Sequence, residues 1–435
     1  MKLSTREGPN DGHAPGSEAD KERMCAWIDA HRHEMVAFLQ ELIRIPADNP
    51  PGDCQRIADW LYRHLQAFPL DDVQLLPVPQ ERVESVGMVR VANVVARMAF
   101  GDGSGPVVGL NAHGDAVAPG LGWTRNPYGG DVVEGAVYGR GAAVSKSDIA
   151  VYTYAAAALR IVTAPLSGQV DLVFTFDEEA GGMIGPARLL TEGTIRPDVA
   201  ITAGFTHSIV NAHGGCLHLE VRLQGRSAHA AEPELGVDAL EAMTQVLHEL
   251  YQYRDRLAER RSKIPGLGSP TLVVGLIRGG INTNVVPDEC VIRLDRRLIP
   301  EEDGDQVENE IRRLIEEAVS SRPVRVDIQR ILYAKPLRPT PPESRFIQTL
   351  KKNWMTVMGG REPDIHGVPL YTDARHFAEA GIPVVLFGAG PRTLAEAGGH
   401  RADEHVRMDD MVLAAKILTM TLYDLLRKGV GGNER

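Results

Sequence analysis

The sequence predicts an α/β protein in which a second, smaller domain interrupts a mostly parallel sheet domain. Three observations carry that prediction. Apolar runs of strand length alternate with helical periodicities from Val73 to Thr202, the pattern of βαβ units. Near Asn211 the order changes to β-α-β-β-α-β, and after Pro336 the α/β alternation returns. The sheet domain is therefore discontinuous in sequence.

Taken in order, residues 1–19 are rich in Gly, Pro, Asp and Glu without an apolar core, and read as a disordered lead. From Glu18 to Ile43, Met24, Trp27, Ile28, Met35, Phe38, Leu39 and Leu42 fall at helical spacing, with a break near His31–His33. Pro46 and Pro50-Pro51 end that stretch. Cys54–Phe68 is a second amphipathic helix, presenting Ile57, Leu61 and Leu65. Val73–Pro77, Val91–Met98 and Val107–Ala112 read as strands, the last one buried. A helix over Ile149–Val162, a strand over Val170–Phe176, a short helix near Ile184–Leu190 and a strand over Asp198–Thr202 complete the first α/β run.

In the interrupting segment, Cys216–Leu223 alternates like a half-exposed strand. A long helix follows over Val237–Leu257, with Leu240, Met243, Val246, Leu247 and Leu250 on one stripe. Strands at Thr271–Ile277 and Cys290–Leu298, a helix at Val307–Val319 and a strand at Val324–Leu332 finish the segment. That order is the split βαβ arrangement of ferredoxin-like domains. The expected division is thus a sheet domain over 20–211 and 333–430 and an insert over 212–332. In the returning part a helix covers Glu343–Met358, a strand Pro383–Phe387 and a closing helix Met411–Leu426, with a frayed tail from Lys428.

Composition narrows the function classes. With 435 residues, two domains are the prior; 43% hydrophobic and 24% charged residues are those of a soluble globular chain. A formal charge of -11 argues against a nucleic-acid partner, which calls for a basic face. The most apolar run, Ile149–Leu159, is half the length of a membrane span. Cys25, Cys54, Cys216 and Cys290 form no CxxC pair, so a reducing cytoplasm is the expected home.

Several groups stand where chemistry is done in open α/β sheets, at carboxyl ends of strands. His113 and Asp115 follow the apolar run 107–112, and a Gly-rich turn, Tyr138 to Asp148, leads into the alanine-rich helix. His113 by itself reads as a structural histidine; the functional reading is a metal-binding imidazole oriented by Asp115. Glu178 and Glu179 end the strand Val170–Phe176, where one could hold a cation while the other acts as a base on water. The bland alternative is a helix N-terminus that favours negative charge, a role that suits Asp177. His400 and His229 lie in small-residue loops, and Asp373-Ala374-Arg375 reads as a local ion pair. Arg297 follows Asp295 at strand spacing, so a salt bridge on one face is the simple reading; with Asn284 it could instead fork a substrate carboxylate.

The segments LNAHGDAV, GWTRNPYGG, VYGRGAAVSK, FDEEAGG, GRSAHAAEPELGVDAL, GGINTNVVPD, RLDRRLIP, YTDARHF and GAGPRT…GGHRADE occur in one order over nearly the whole chain after residue 20. Together they resemble the metallopeptidase and deacylase family of succinyl-diaminopimelate desuccinylase, acetylornithine deacetylase, aminoacylase and carboxypeptidase G. The resemblance implies His113 on one metal, Glu179 and His400 on another, Asp115 orienting His113, and Glu178 as general base. It implies that the insert is a lid and dimerisation domain, and that His229 reaches the neighbouring subunit's site to stabilise an oxyanion. It further implies that Asn284, Arg297 and the Gly390 loop hold a substrate carboxylate.

Two places depart from the family pattern. Its metal-bridging aspartate falls at Val144, and its further acidic ligand falls in the turn Ala203-Gly204-Phe205-Thr206-His207, which has no carboxylate. Of five family ligands, His113, Glu179 and His400 are left, with Asp148 or His207 as conceivable replacements. Three ligands of this type suffice for one catalytic zinc. The expectation is a homodimeric cytoplasmic hydrolase of a C–N bond in a small carboxylate-bearing substrate, using one divalent metal, zinc before others. The alternatives are aminohydrolase, carbamoylase or metal-independent lyase or isomerase chemistry on the same fold, and a non-catalytic ligand-binding relative.

Overall fold

The computed structural model describes residues 16–393 and 395–427. The chain divides into two compact units, one of residues 1–207, 343–363 and 386–435, the other of 208–342 and 364–385. Residues 1–15 of the expected disordered lead, and the expected tail from Lys428, lie outside the described residues. Residues 16–19 of that expected lead are helical: Gly16–Ala30 and Arg32–Ile43 are two helices broken at His31. The first is docked by its own polar residues. Buried Asp20 accepts from Tyr423 Oη at 3.1 Å, and Lys21 Nζ donates to Asn353 and Asp424.

The first unit is mixed α/β. Its strands run in the order Asp72–Pro77, Ala92–Phe100, Gly168–Thr175, Val107–His113, Val199–Thr202. The pairs made by Val107–His113 are parallel and those on the Ala92–Phe100 side antiparallel. Val107–His113 is buried on both faces, which explains its continuous apolar run. The helix Ser147–Ala158 packs on it and is buried all round, so alanine lets the neighbouring elements approach closely. Three short strands, Asp131–Val133, Ala136–Tyr138 and His405–Arg407, form a small antiparallel sheet that periodicity did not predict.

The second unit holds the expected split βαβ arrangement. Four antiparallel strands run in the order Thr271–Gly279, Glu289–Leu298, Gly215–Gln224, Arg325–Ala334. Helices Ala239–Leu257 and Gly304–Ala318 cover one face, burying Leu217, Leu219, Val221, Met243, Val246, Leu250, Ile292 and Ile311 in one core. Asp238 and Asp303 cap these helices by accepting backbone N–H groups of their first turns. Leu240, expected on the buried stripe, is 41% exposed because it falls in the first turn, beside the cap and outside the stripe. The unit also contains the strands Ser208–His213 and Asp364–Val368, paired in parallel, neither of which was predicted.

One buried polar group in this unit makes a pH-dependent contribution. His213 Nδ1 lies 2.7 Å from the Gly214 carbonyl, which can only accept, while the Thr372 N–H points at Nε2 from 3.4 Å. The ring is thus held neutral, and burial pushes its pKa down to about 4. A histidine depressed in the folded state takes up its proton more readily when unfolded. Its contribution to stability is complete above about pH 6.5, falls as pH drops, and levels off below about 4. Urea unfolding across this window should show the wild type losing up to about 1.4 kcal/mol per pH unit more than a His213→Asn variant.

Candidate active site

At the carboxyl end of Val107–His113 the chain places an imidazole over a buried carboxylate. His113 Nδ1 is 3.0 Å from the Asp115 carbonyl and 3.4 Å from Asp115 Oδ1, so Nδ1 carries a hydrogen and Nε2 points away. The Ser145 hydroxyl pins the backbone here, accepting from the His113 N–H and donating to the His113 carbonyl, both at 3.0 Å. Asp115 is fully buried and does more than orient His113. Its two oxygens accept the backbone N–H groups of Glu178 at 3.3 Å and Glu179 at 3.1 Å, and the Asn49 amide at 2.9 Å.

Glu178 and Glu179 open a single 3-10 turn, Glu178–Ala180, after the strand Gly168–Thr175. Asp177 does not cap that turn with its side chain; it accepts from Ile184 N at 2.7 Å and Gly185 N at 3.0 Å and so ties the turn to the loop that follows. This leaves the two glutamates for other work. Glu178 Oε2 lies 4.0 Å from His113 Nε2, and Glu179 Oε1 lies 3.2 Å from His400 Nε2. Burial opposes charge on His113, but Asp115, Glu178 and Glu179 outweigh it and hold the ring well above its ordinary pKa range. The Glu179 carboxylate likewise raises His400. His113, Asp115, Glu178, Glu179 and His400 are thus brought together in the first unit, with three carboxylates around two imidazoles.

The Gly-rich turn is organised by a residue that sequence reasoning quoted but left without a role. Buried Glu404 accepts the N–H groups of Ala143 at 3.0 Å and Val144 at 3.1 Å, and pairs with Arg140 at 2.5 Å. Burial raises the Glu404 pKa, while Arg140 and the amides pull against that shift. Glu404 also ends the loop that carries His400, so one ion pair fixes both Val144 and the His400 loop. Lys146 is buried with its ammonium on the carbonyls of Leu42 and Ile45, both at 3.1 Å, and desolvation lowers its pKa to about 8.

The fit to a cation can be tested on these contacts. Glu179 Oε1 is buried without a well-aligned donor, and the negative charge of the cluster exceeds the charge of its histidines. That suits one cation. It does not suit two, because the Val144 side chain is hydrocarbon and the considered replacements are taken. Asp148 accepts the Ala389 N–H at 2.6 Å and the Gly204 N–H at 3.3 Å, and burial raises its pKa to about 7. His207 Nε2 faces Asp410 Oδ1 at 2.9 Å. The donors of His113, Glu179 and His400 are spread more widely than a closed site: among the described residues, only Cys216, His218 and Asp295 bring three His, Cys, Asp or Glu donors within 4.8 Å of one another.

The other expected residues have different surroundings. The Gly390 N–H is spent on Gly204 O at 2.8 Å, and a Cβ on Gly390 would come within 2.0 Å of that oxygen. Gly390 is therefore a close-approach glycine whose backbone fixes the course of its loop. In the second unit, the segments of His229 and Asn284 pair, with Ala230 N donating to Asn284 O at 3.0 Å. Arg297 Nε contacts both Asp295 oxygens, at 3.0 and 3.2 Å, which is the salt bridge of the simple reading.

Comparisons with known proteins bear on the fold and the family. Residues 109–424 match the model of Peptidase family M20/M25/M40. An acetylornithine deacetylase from Vibrio parahaemolyticus is 32% identical over 240 residues, which cover 54% of this chain and 62% of that relative's length. Human carnosine dipeptidase 1 superposes with a TM-score of 0.71 at 18% identity, covering 93% of this chain and 98% of that one. The di-peptidase Dug1p of Saccharomyces cerevisiae gives 0.72 at 16% identity, over 93% and 98%. Peptidase family M20/M25/M40 is accordingly the family to which this chain belongs.

Proposed function

We propose that the protein hydrolyses a C–N bond, an amide of the N-acyl amino acid or dipeptide type, in a small substrate that carries a carboxylate. The observation that carries this reading is the pair of adjacent glutamates anchored by Asp115, with Glu178 turned toward His113 and Glu179 toward His400. Membership of a peptidase family and the deacetylase relative support the reaction class.

In this reading Glu178 is the general base. Its carboxylate takes a proton from the attacking water, the oxygen bonds to the carbonyl carbon, and the same proton passes to the departing amine nitrogen as the C–N bond breaks. Asp115 keeps Nδ1 of His113 protonated and holds both glutamate amides, so the base is fixed before substrate arrives. His113, Glu179 and His400 would hold one divalent cation, zinc before others. When bound, such a cation polarises the scissile carbonyl and makes water more acidic. In the second unit, Arg297 and Asn284 are assigned to the substrate carboxylate and His229 to the oxyanion. Residues 212–332 are assigned as the lid and dimerisation domain, the protein acting as a homodimer in the cytoplasm.

The hydrocarbon side chain at Val144 supports a second reading, in which the same fold runs aminohydrolase, carbamoylase or metal-independent lyase chemistry. A panel of N-acyl amino acids, dipeptides and ureido acids assayed with wild type and Glu178→Gln tests the first reading. Loss of about 10²- to 10⁴-fold in kcat on the amide substrates, with KM little changed, is expected. Full activity of the Glu178→Gln enzyme would overturn it.

A further inference from the structure

We infer that Cys216, His218 and Asp295 form a site for one thiophilic divalent cation of the zinc class, with ligands distinct from those of the His113 cluster. The three side chains share one face of two paired strands. Cys216 and His218 are two apart on Gly215–Gln224, and Asp295 on Glu289–Leu298 lies directly opposite His218 in the antiparallel register. The opposite face of this sheet holds the core under the two helices, so these residues are not needed to fill it.

The donors already stand near coordination spacing. His218 Nε2 is 3.0 Å from Asp295 Oδ2, Cys216 Sγ is 3.7 Å from Asp295 Oδ1, and all three ligand atoms lie within 4.8 Å of one another. Bonds of about 2.0–2.3 Å to N, O and S in a tetrahedral site require donor separations of this order. Cys216 is buried while His218 and Asp295 are partly exposed, so a cation could enter from solvent and meet the sulfur last. A thiolate in the set selects zinc or cadmium over magnesium or calcium.

The charge balance is workable. On binding, the Cys216 thiol releases its proton to solvent and His218 offers a neutral Nε2 lone pair, so one thiolate and one carboxylate neutralise the divalent ion. Two guanidiniums, Arg297 and more weakly Arg375, bear on the Cys216 thiol, and Arg297 is the one that competes for Asp295. Its Nε contacts Asp295, but its side chain is 40% exposed and can turn outward or stay hydrogen-bonded to the carboxylate. The inference does not rest on the proposed hydrolysis.

Purified full-length protein stripped with chelator and titrated with Cd²⁺ gives the test, read by thiolate-to-cadmium absorption in the ultraviolet. The residues of the His113 cluster carry no sulfur, and the titration is run in a Cys54→Ala background because the Cys54 thiol lies near enough to Asp115 to feel its charge. The expected result is one equivalent of band-forming Cd²⁺, lost in Cys216→Ser, weakened at least about tenfold in His218→Ala, and unchanged in Glu179→Gln. Absence of the band in the Cys54→Ala parent, or its survival in Cys216→Ser, would overturn the inference. Should Cys216→Ser fail to fold by circular dichroism, His218→Ala decides: unchanged cadmium affinity contradicts the site.

Discussion

The site depends on one buried carboxylate. Asp115 is the point where three separate stretches of chain meet: the end of Val107–His113, the turn beginning at Glu178, and Asn49. Its oxygens have no access to solvent, so their charge is compensated by backbone amides, the Asn49 amide and the His113 ring. Remove that charge and three donors, the Asn49 amide and the Glu178 and Glu179 N–H groups, lose their acceptor, at about 1–3 kcal/mol each. The positions of His113, Glu178 and Glu179 therefore follow from one electrostatic requirement and not from three independent packing choices.

A second buried charge does the same for the other side of the cluster. Arg140 and Glu404 are both almost completely buried, and Glu404 spends its remaining capacity on the amides of Ala143 and Val144. A buried pair of this kind adds little net stability, but breaking it leaves an uncompensated charge. Its consequence here is geometric. The Gly-rich turn and the His400 loop are held to each other, with the Ala143 and Val144 amides both taken up by Glu404.

Much of this was legible in the sequence, for a definite reason. His113, Asp115, Glu178 and Glu179 sit at the ends of long apolar strands, and strand ends can be read from periodicity. The βαββαβ order of the second unit was legible because its helices carry uninterrupted apolar stripes. Other features had no local signal. The partnership of Arg140 with Glu404 joins residues 264 positions apart. Asp148 read as a spare ligand because nothing in a sequence announces that the Ala389 and Gly204 amides will claim it. The strands Asp131–Val133, Ala136–Tyr138 and His405–Arg407 are three residues each, too short for alternation to register. The steric constraint at Gly390, a carbonyl pressed against its Cα, likewise has no local signal.

The central claim is that the cluster around His113 is built for one cation and a glutamate base, with no second ion beside Val144. Anomalous X-ray scattering from crystals of the protein purified without chelator tests this most directly. The account predicts a single transition-metal peak in the first unit, bounded by His113, Glu179 and His400. Two peaks in that unit sharing a ligand, or no peak there in a preparation that retains full amide-hydrolysing activity, would contradict it.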